Sequence, residues 1–191
     1  MRKNKSMNNS QSGSSLIELM IALVVLTVGL IGSMAMVGVA VTGDYRSKSD
    51  STSTALAEMV AEKISAYPVC QAGCTPAPAV SVTDCAGVAH AITVTGVAGG
   101  TGATLTATGK IDYTQAIAGV PAGYGMVYKE CGITNNIQAS YDIRWNINLL
   151  PSKDAELVVV GAQLMNARTS TNKGSNAPAV IIRTIIGNDG N

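Results

Sequence analysis

Gly13 to Val41 reads GSSLIELMIALVVLTVGLIGSMAMVGVAV. From Leu19 to Val41 it holds 23 consecutive uncharged, mostly apolar residues. At a helical rise of about 1.5 Å per residue such a run is about 34 Å long, enough to cross a bilayer core of roughly 30 Å. Glu18 breaks the pattern as the third residue of the apolar block that begins at Leu16. A carboxylate facing lipid costs about 2.5–3.5 kcal/mol at mid-bilayer and less near the interface. A span that keeps one points to a use for it.

Before the block, Met1 to Gly13 is polar, with Arg2, Lys3 and Lys5 its only charges. These three cations act as a positive-inside signal that keeps the N-terminus in the cytoplasm. The leader has no apolar core of its own, and no A-x-A site follows the apolar run, so a secretory signal peptide does not fit. After the block, the pattern changes to amphipathic. Leu56, Met59, Val60, Ile64 and Tyr67 recur at three- and four-residue steps, with Glu58, Glu62 and Lys63 off that stripe. No proline interrupts Ser14 to Tyr67, and Pro68 ends the run. One long helix is therefore predicted over 14–67, membrane-spanning over 16–41 and amphipathic beyond. Gly29, Gly32, Gly38 and Gly43 lie inside it, each costing about 1 kcal/mol relative to Ala. Close helix packing accounts for them, or local melting at Gly29 and Gly32.

The remaining chain, 68–191, is one ordinary domain. The whole protein has 191 residues, 13% charged and no Phe, with a net charge of +1, which gives no electrostatic case for nucleic acid. Its wealth of small residues, Thr and Val favours strands and loops of an exported domain. All four cysteines, Cys70, Cys74, Cys85 and Cys131, follow the span. On the oxidising side they read as two disulfides, with three possible connectivities. Loop proximity alone favours Cys74–Cys85 with Cys70–Cys131. Their spacing lacks paired CxxC, and His90 is the only histidine, so a metal site is not expected.

Val69 to Gly87 reads as a stapled, irregular loop. His90–Val97 and Thr104–Thr108 are strand candidates flanking the turn Gly99-Gly100-Thr101-Gly102; Ile111–Gly125 is ambiguous. Further on, Tyr141, Ile143, Trp145, Ile147 and Leu149 alternate with Asp142, Arg144, Asn146 and Asn148, the mark of a half-buried strand. A turn at Pro151–Asp154, a strand at Glu156–Leu164, a polar loop at Asn166–Asn176 and a strand at Ala179–Ile186 complete an antiparallel meander. The fold class is α+β, with the amphipathic half-helix covering the sheet.

No catalytic constellation emerges. There is no G-x-S-x-G turn, Gly99–Gly102 lacks the Lys-Ser/Thr of a P-loop, and Asp112, Asp142, Asp154 and Asp189 are scattered singly. His90 reads as a surface or structural residue and Trp145 as a core aromatic. An enzyme is not expected, and neither is a cofactor.

Gly13-Ser14-Ser15-Leu16-Ile17-Glu18 followed by an unbroken apolar helix resembles the class III signal of type IV prepilins. The resemblance covers residues 13–41. It implies cleavage between Gly13 and Ser14 by a membrane prepilin peptidase, methylation of the Ser14 amine, and pairing of Glu18 with a neighbouring subunit's N-terminal amine. Within the family the run Leu-Val-Val-Leu-Thr-Val-Gly-Leu-Ile-Gly is most similar to PilV-type minor pilins. The chain departs from the family at Ser14, where Phe or Met is usual, at Ser12, where Lys or Arg is usual, and at Ala35, where major pilins commonly carry Pro. Family filaments lose helical hydrogen bonds in that region, which implies melting at Gly29 and Gly32.

The function so implied is a structural subunit of a type IV pilus, a minor pilin in assembly or priming. Its partners would be other pilins, the peptidase, an inner-membrane assembly platform and, before assembly, lipid. It would start as a single-pass inner-membrane protein and end in a surface pilus. The alternative is a type II secretion pseudopilin, which shares residues 13–41; four cysteines count mildly against it.

Overall fold

In the computed structural model, residues 15–69, 80–151, 155–165 and 179–187 are described. Gly13, Ser14, Cys70, Cys74, most of the Pro151–Asp154 turn and the loop 166–176 lie outside them. The architecture is α+β, as the sequence pattern requires. Helix α1 spans Leu16–Ser65, and among the described residues eight strands follow it. These are β1 Val80–Thr83, β2 Ala89–Ile92, β3 Val97–Ala98, β4 Thr101–Gly102, β5 Gly125–Cys131, β6 Ile137–Leu149, β7 Ala155–Met165 and β8 Val180–Gly187. The chain divides into two compact units, Met1–Tyr45 and Arg46–Asn191, so the boundary falls inside α1.

In the first unit the helix has no protein around it: every described residue from Leu16 to Asp44 is exposed. In the second unit the helix buries a stripe of Ser49, Ser53, Leu56, Ala57, Val60, Ala61 and Ile64. Met59 and Tyr67, expected on that stripe, are only partly buried at its margin. Ser49 and Ser53 extend it into a stretch whose polarity gave no hint of burial.

The sheet is built on β6. β7 pairs antiparallel with it from Leu149↔Glu156 to Ser140↔Met165, and β8 pairs antiparallel with β7, which gives the expected meander. β5, β4 and β3 pair in turn with residues 137–144, 146–147 and 148–149 of β6, and only the two-residue β3 contact is parallel. A separate hairpin, β1–β2, stands beside this sheet.

The core forms between α1 and one sheet face. Tyr141, Ile143, Trp145 and Ile147 of β6 meet Val158, Val160, Ala162 and Leu164 of β7 beneath Leu56, Ala57, Val60, Ala61 and Ile64. Each such burial contributes about 1.5–3 kcal/mol. Trp145 is fully buried, and its Nε1 donates to the Thr93 carbonyl at 3.0 Å, so it is a core aromatic as expected.

Several local expectations are corrected. The predicted strand at His90–Val97 stops at Ile92. Beyond it the backbone is committed elsewhere: Thr93 N–H donates to Gly123, while its carbonyl serves Trp145 and that of Thr95 accepts from Tyr124 Oη. Thr104–Thr108 is not a strand but the start of a tight turn, closed by Thr106 N–H to Lys110 O and Gly109 N–H to Thr106 O. β1 lies within the expected irregular loop, and β5 emerges where no strand was foreseen. The β3–β4 turn does fall on the Gly-rich run. There Gly102 has φ of +108°, and a Cβ would sit 2.4 Å from the Trp145 carbonyl oxygen, so no side chain fits.

Around the middle of β6 the second sheet face is not solvated, contrary to the half-buried reading of that strand. Asp142, Arg144 and Asn146 are buried too, beneath a strap formed by residues 103–124. Ala103, Ile111 and Val159 make a second small core there, flanked by Leu105, Tyr113, Val120, Leu157 and Ile181.

The disulfide pairing is also corrected. Cys85 bonds Cys131, not Cys74, with Cα atoms 5.7 Å apart. Loop proximity failed because Cys85 and Cys131, distant in sequence, are neighbours in the fold: Cys85 N–H already donates to Lys129 O on β5. The bond ties the β1–β2 hairpin to the end of β5. Closing a loop across a separation of 46 residues stabilises the fold by about 4 kcal/mol in the chain-entropy account.

Candidate functional site

The first site is the exposed helix Leu16–Val41. Its start follows from local chemistry. Ser15 O accepts from the N–H groups of Glu18 and Leu19, which makes Ser15 the N-terminal cap by position. Glu18 falls in the first turn, where the helix dipole favours a negative charge by about 0.3–1 kcal/mol. Ser15-x-x-Glu18 has capping-box spacing, yet no hydrogen bond joins the Glu18 carboxylate to the Ser15 N–H. Among the described residues that carboxylate has no hydrogen-bond or ionic partner.

The other polar side chains of the block are satisfied within the helix. Thr27 Oγ1 donates to Val24 O at 2.8 Å and Ser33 Oγ to Leu30 O at 2.9 Å. Just beyond, Thr42 Oγ1 donates to Gly38 O at 2.8 Å. Such internal bonds let hydroxyls enter an apolar medium at little cost. The helix is long and apolar enough to cross a membrane, with a mean hydropathy of 2.5 in its most apolar window. Glu18 is the one polar group there that a dry environment would penalise.

Glu18 also shares its side of the helix with small residues. At 100° per residue, Glu18, Ala22, Gly29, Ser33, Met36 and Ala40 lie within about 60° of one another, so that side is small as far as Ser33 and carries one long side chain, Met36, beyond it. The helix runs unbroken through Gly29 and Gly32. Beyond the helix's own backbone and the adjacent residues, no described residue comes within 4 Å of where a Cβ would stand at either. Whatever close approach these glycines serve is made to something other than this chain's own described residues.

Two titratable clusters lie in the second unit. At the β1–β2 turn, the buried Asp84 carboxylate accepts from the N–H groups of Ala86 at 3.0 Å and Val88 at 2.9 Å, and meets His90 Nε2 at 3.2 Å. Burial would raise its pKa, but the Val88 N–H and His90 contacts outweigh that and hold it below the usual carboxylate range. His90 is thus a structural residue. A group with a depressed folded pKa contributes stability above its unfolded value and loses it as pH falls through the folded one. Asp84→Asn is expected to flatten the loss of stability below about pH 4, measured by denaturant unfolding across pH 3–6. An unchanged acid limb would contradict this role.

The second cluster lies beneath the strap. Arg144 grips Asp142 through Nε–Oδ1 at 2.8 Å and a terminal nitrogen to Oδ2 at 2.6 Å. Its other terminal nitrogen donates to Asp112 O at 3.1 Å, and its guanidinium lies 4.9 Å from the Tyr113 ring centre. Burial first, and Asp142 second, push the Tyr113 phenol far above its ordinary range. Asn146 adds a bond from Nδ2 to Ala103 O at 2.9 Å. The arrangement fastens a loop to a sheet and presents no nucleophile beside a base. Among the described residues, no three His, Cys, Asp or Glu side chains gather as a metal site would need. Sequence reading missed this cluster because Asp and Arg two residues apart on a strand look like its solvated face.

A family model described as the prokaryotic N-terminal methylation motif matches residues 8–34. The match includes Gly13, Ser14, Glu18, Gly29 and Gly32, and supports a subunit of type IV pilin or pseudopilin kind. No curated protein and no solved structure matches the chain.

Proposed function

We propose that the chain is a minor subunit of a type IV pilus, of the PilV-like kind, acting in pilus assembly or priming. Residues 1–13 serve as a leader, 14–67 as the assembly helix and 68–191 as the exported domain. A prepilin peptidase cuts between Gly13 and Ser14 on the cytoplasmic face and methylates the Ser14 amine. The apolar helix waits in the inner membrane, delivers the subunit to an assembly platform, and then passes into a filament core.

The observation that carries this reading is the unpartnered Glu18 in an apolar block, Leu16–Val41, whose other polar side chains, Thr27 and Ser33, are satisfied. A methylated ammonium from a neighbouring subunit would neutralise it. At an effective dielectric of about 20 and a distance of about 4 Å, the pair gains about 4 kcal/mol of attraction. The face holding Ala22, Gly29, Ser33 and Ala40 lets a second helix come close enough to make that pairing. Gly29 and Gly32 then serve helix packing or stretching in the filament. Pairing Cys70 with Cys74 would complete the disulfide set begun by Cys85–Cys131.

Mass spectrometry of surface filaments sheared from cells tests the reading. The processed chain is expected at a small fraction of the major subunit. Its absence from sheared pili, together with retention among the components of a secretion pore, would favour the pseudopilin alternative.

A further inference from the structure

We propose that β8 is an open docking edge that takes an extended strand from a partner protein, and that this strand carries a carboxylate opposite Arg183. Every residue involved lies in the second unit. The sheet treats its two edges differently. On the β5 side the edge is blunted. Lys129 O accepts from Cys85 N–H, and the Cys85–Cys131 bond ties the β1–β2 hairpin to the strand. A register shift interrupts the pairing between Glu130 and Cys131, and Lys129 and Glu130 set charges along the edge. Cover, a bulge and charge are the means by which sheets keep an edge from pairing. β8 has none of them. Its eight residues, Val180–Gly187, include no proline and one charge, and they pair with β7 without a break. Among the described residues β7 is the only strand they pair with. A long, low-charge, uninterrupted edge is a template for one more strand.

The chemistry of the occupant follows from the two faces of β8. Ile182 and Ile186, opposite Val160 and Glu156, lie at the margin of the helix-side core, and Ile181 lies at the margin of the core beneath the strap. Ile185 is 67% exposed. A strand added outside β8 lengthens both cores and covers these isoleucines. Arg183 stands between Ile181 and Ile185 on one face of the strand and is exposed. Its Nη2 donates to Thr108 O at 2.7 Å, which fixes the guanidinium at the strap. Among the described residues Arg183 meets no carboxylate. An apolar-x-acid-x-apolar segment gives Ile181, Arg183 and Ile185 matching neighbours, and the pattern reads the same in either chain direction. A second copy does not supply it. β8 contains no acid, and the register that sets Arg183 against its own counterpart opposes two cations.

The test uses the full chain in detergent and two blocked peptides, Thr-Thr-Val-Thr-Glu-Thr-Val-Thr-Thr and its twin with Lys in place of Glu. Peptide affinity and hydrogen exchange of the β8 amides are read together. The Glu peptide is expected to slow exchange across Val180–Gly187 and to bind about fivefold more tightly than the Lys peptide, the scale of a cross-strand charge pair. Arg183→Glu should reverse that preference. Arg183→Gln, which keeps a donor for Thr108 O, should bind the two peptides equally, so loss of charge is separated from loss of the strap contact. Absence of β8 protection by either peptide would mean that the edge is closed. Equal binding of both peptides by the wild-type chain would mean that Arg183 does not select the partner. Protection that grows with protein concentration in the absence of peptide would put a second copy on the edge. Each of these three results overturns the proposal.

Discussion

If the proposed function holds, Glu18→Ala is expected to leave leader removal unchanged and to lower incorporation into sheared filaments at least about tenfold. The two halves of this result have separate causes. Cleavage at Gly13–Ser14 depends on the leader and the start of the helix, and alanine, a strong helix former, preserves both. Incorporation depends on a charge that has no partner within its own chain's described residues. Removing Glu18 makes the isolated helix more comfortable in lipid, because a costly carboxylate is gone. In the proposed filament it would also leave a neighbour's ammonium uncompensated in a dry core, at a cost of several kcal/mol. Both changes hold the subunit in the membrane. Membrane fractions should gain processed subunit as filaments lose it. Glu18→Asp, shorter by one methylene, should restore part of the incorporation. Filaments carrying the alanine variant at wild-type levels would show that the carboxylate has no assembly role.

Arg144→Ala should destabilise the β-rich second unit by about 3–5 kcal/mol, the cost of leaving a buried carboxylate without its cation. Asp142 and Arg144 are both buried, and Arg144 joins Asp142, the Asp112 carbonyl and the Tyr113 ring, beside a 3.5 Å bond from Tyr113 Oη to the Asp142 carbonyl. Its loss frees the strap as well as the sheet. Hydrogen exchange of the strap around Ile111–Tyr113 should therefore accelerate more than that of the helix-side core. The double variant Asp142→Leu with Arg144→Met should recover most of the lost stability, since two apolar side chains of similar bulk remove the stranded charge. Denaturant unfolding of the full chain in detergent measures both. A loss below about 1 kcal/mol for Arg144→Ala would mean that water reaches the pair and that the strap is held by its apolar contacts alone.

What could be read from sequence follows the physics of each element. Helix α1 was legible because a long apolar run and a three- and four-residue stripe admit few alternatives, and Pro68 closes it. The β6–β7–β8 meander was legible from period-two alternation and short connections. β5 was not, since Gly125–Cys131 mixes Lys129 and Glu130 with weak alternation, and only its pairing with β6 makes it a strand. The polar face of β6 was misread for a related reason. Alternation tells which residues share a face, but it cannot tell that a distant strap covers the polar one. The disulfide turned on the same kind of information, because β5 brings Cys131 to Cys85. At the N-terminus the reverse holds. Glu18 stands out in the sequence as a charge in an apolar run, and the structure adds that the hydroxyls of Thr27 and Ser33 bond within the helix.

The most direct test of the pilin reading is the mass of the N-terminal peptide of the chain purified from a host that has the peptidase. The expected peptide begins at Ser14 and carries one methyl group on its amine. A chain that keeps residues 1–13, or that begins after the apolar block, would contradict the account, because neither could bring a charged N-terminus to Glu18 of a neighbouring subunit.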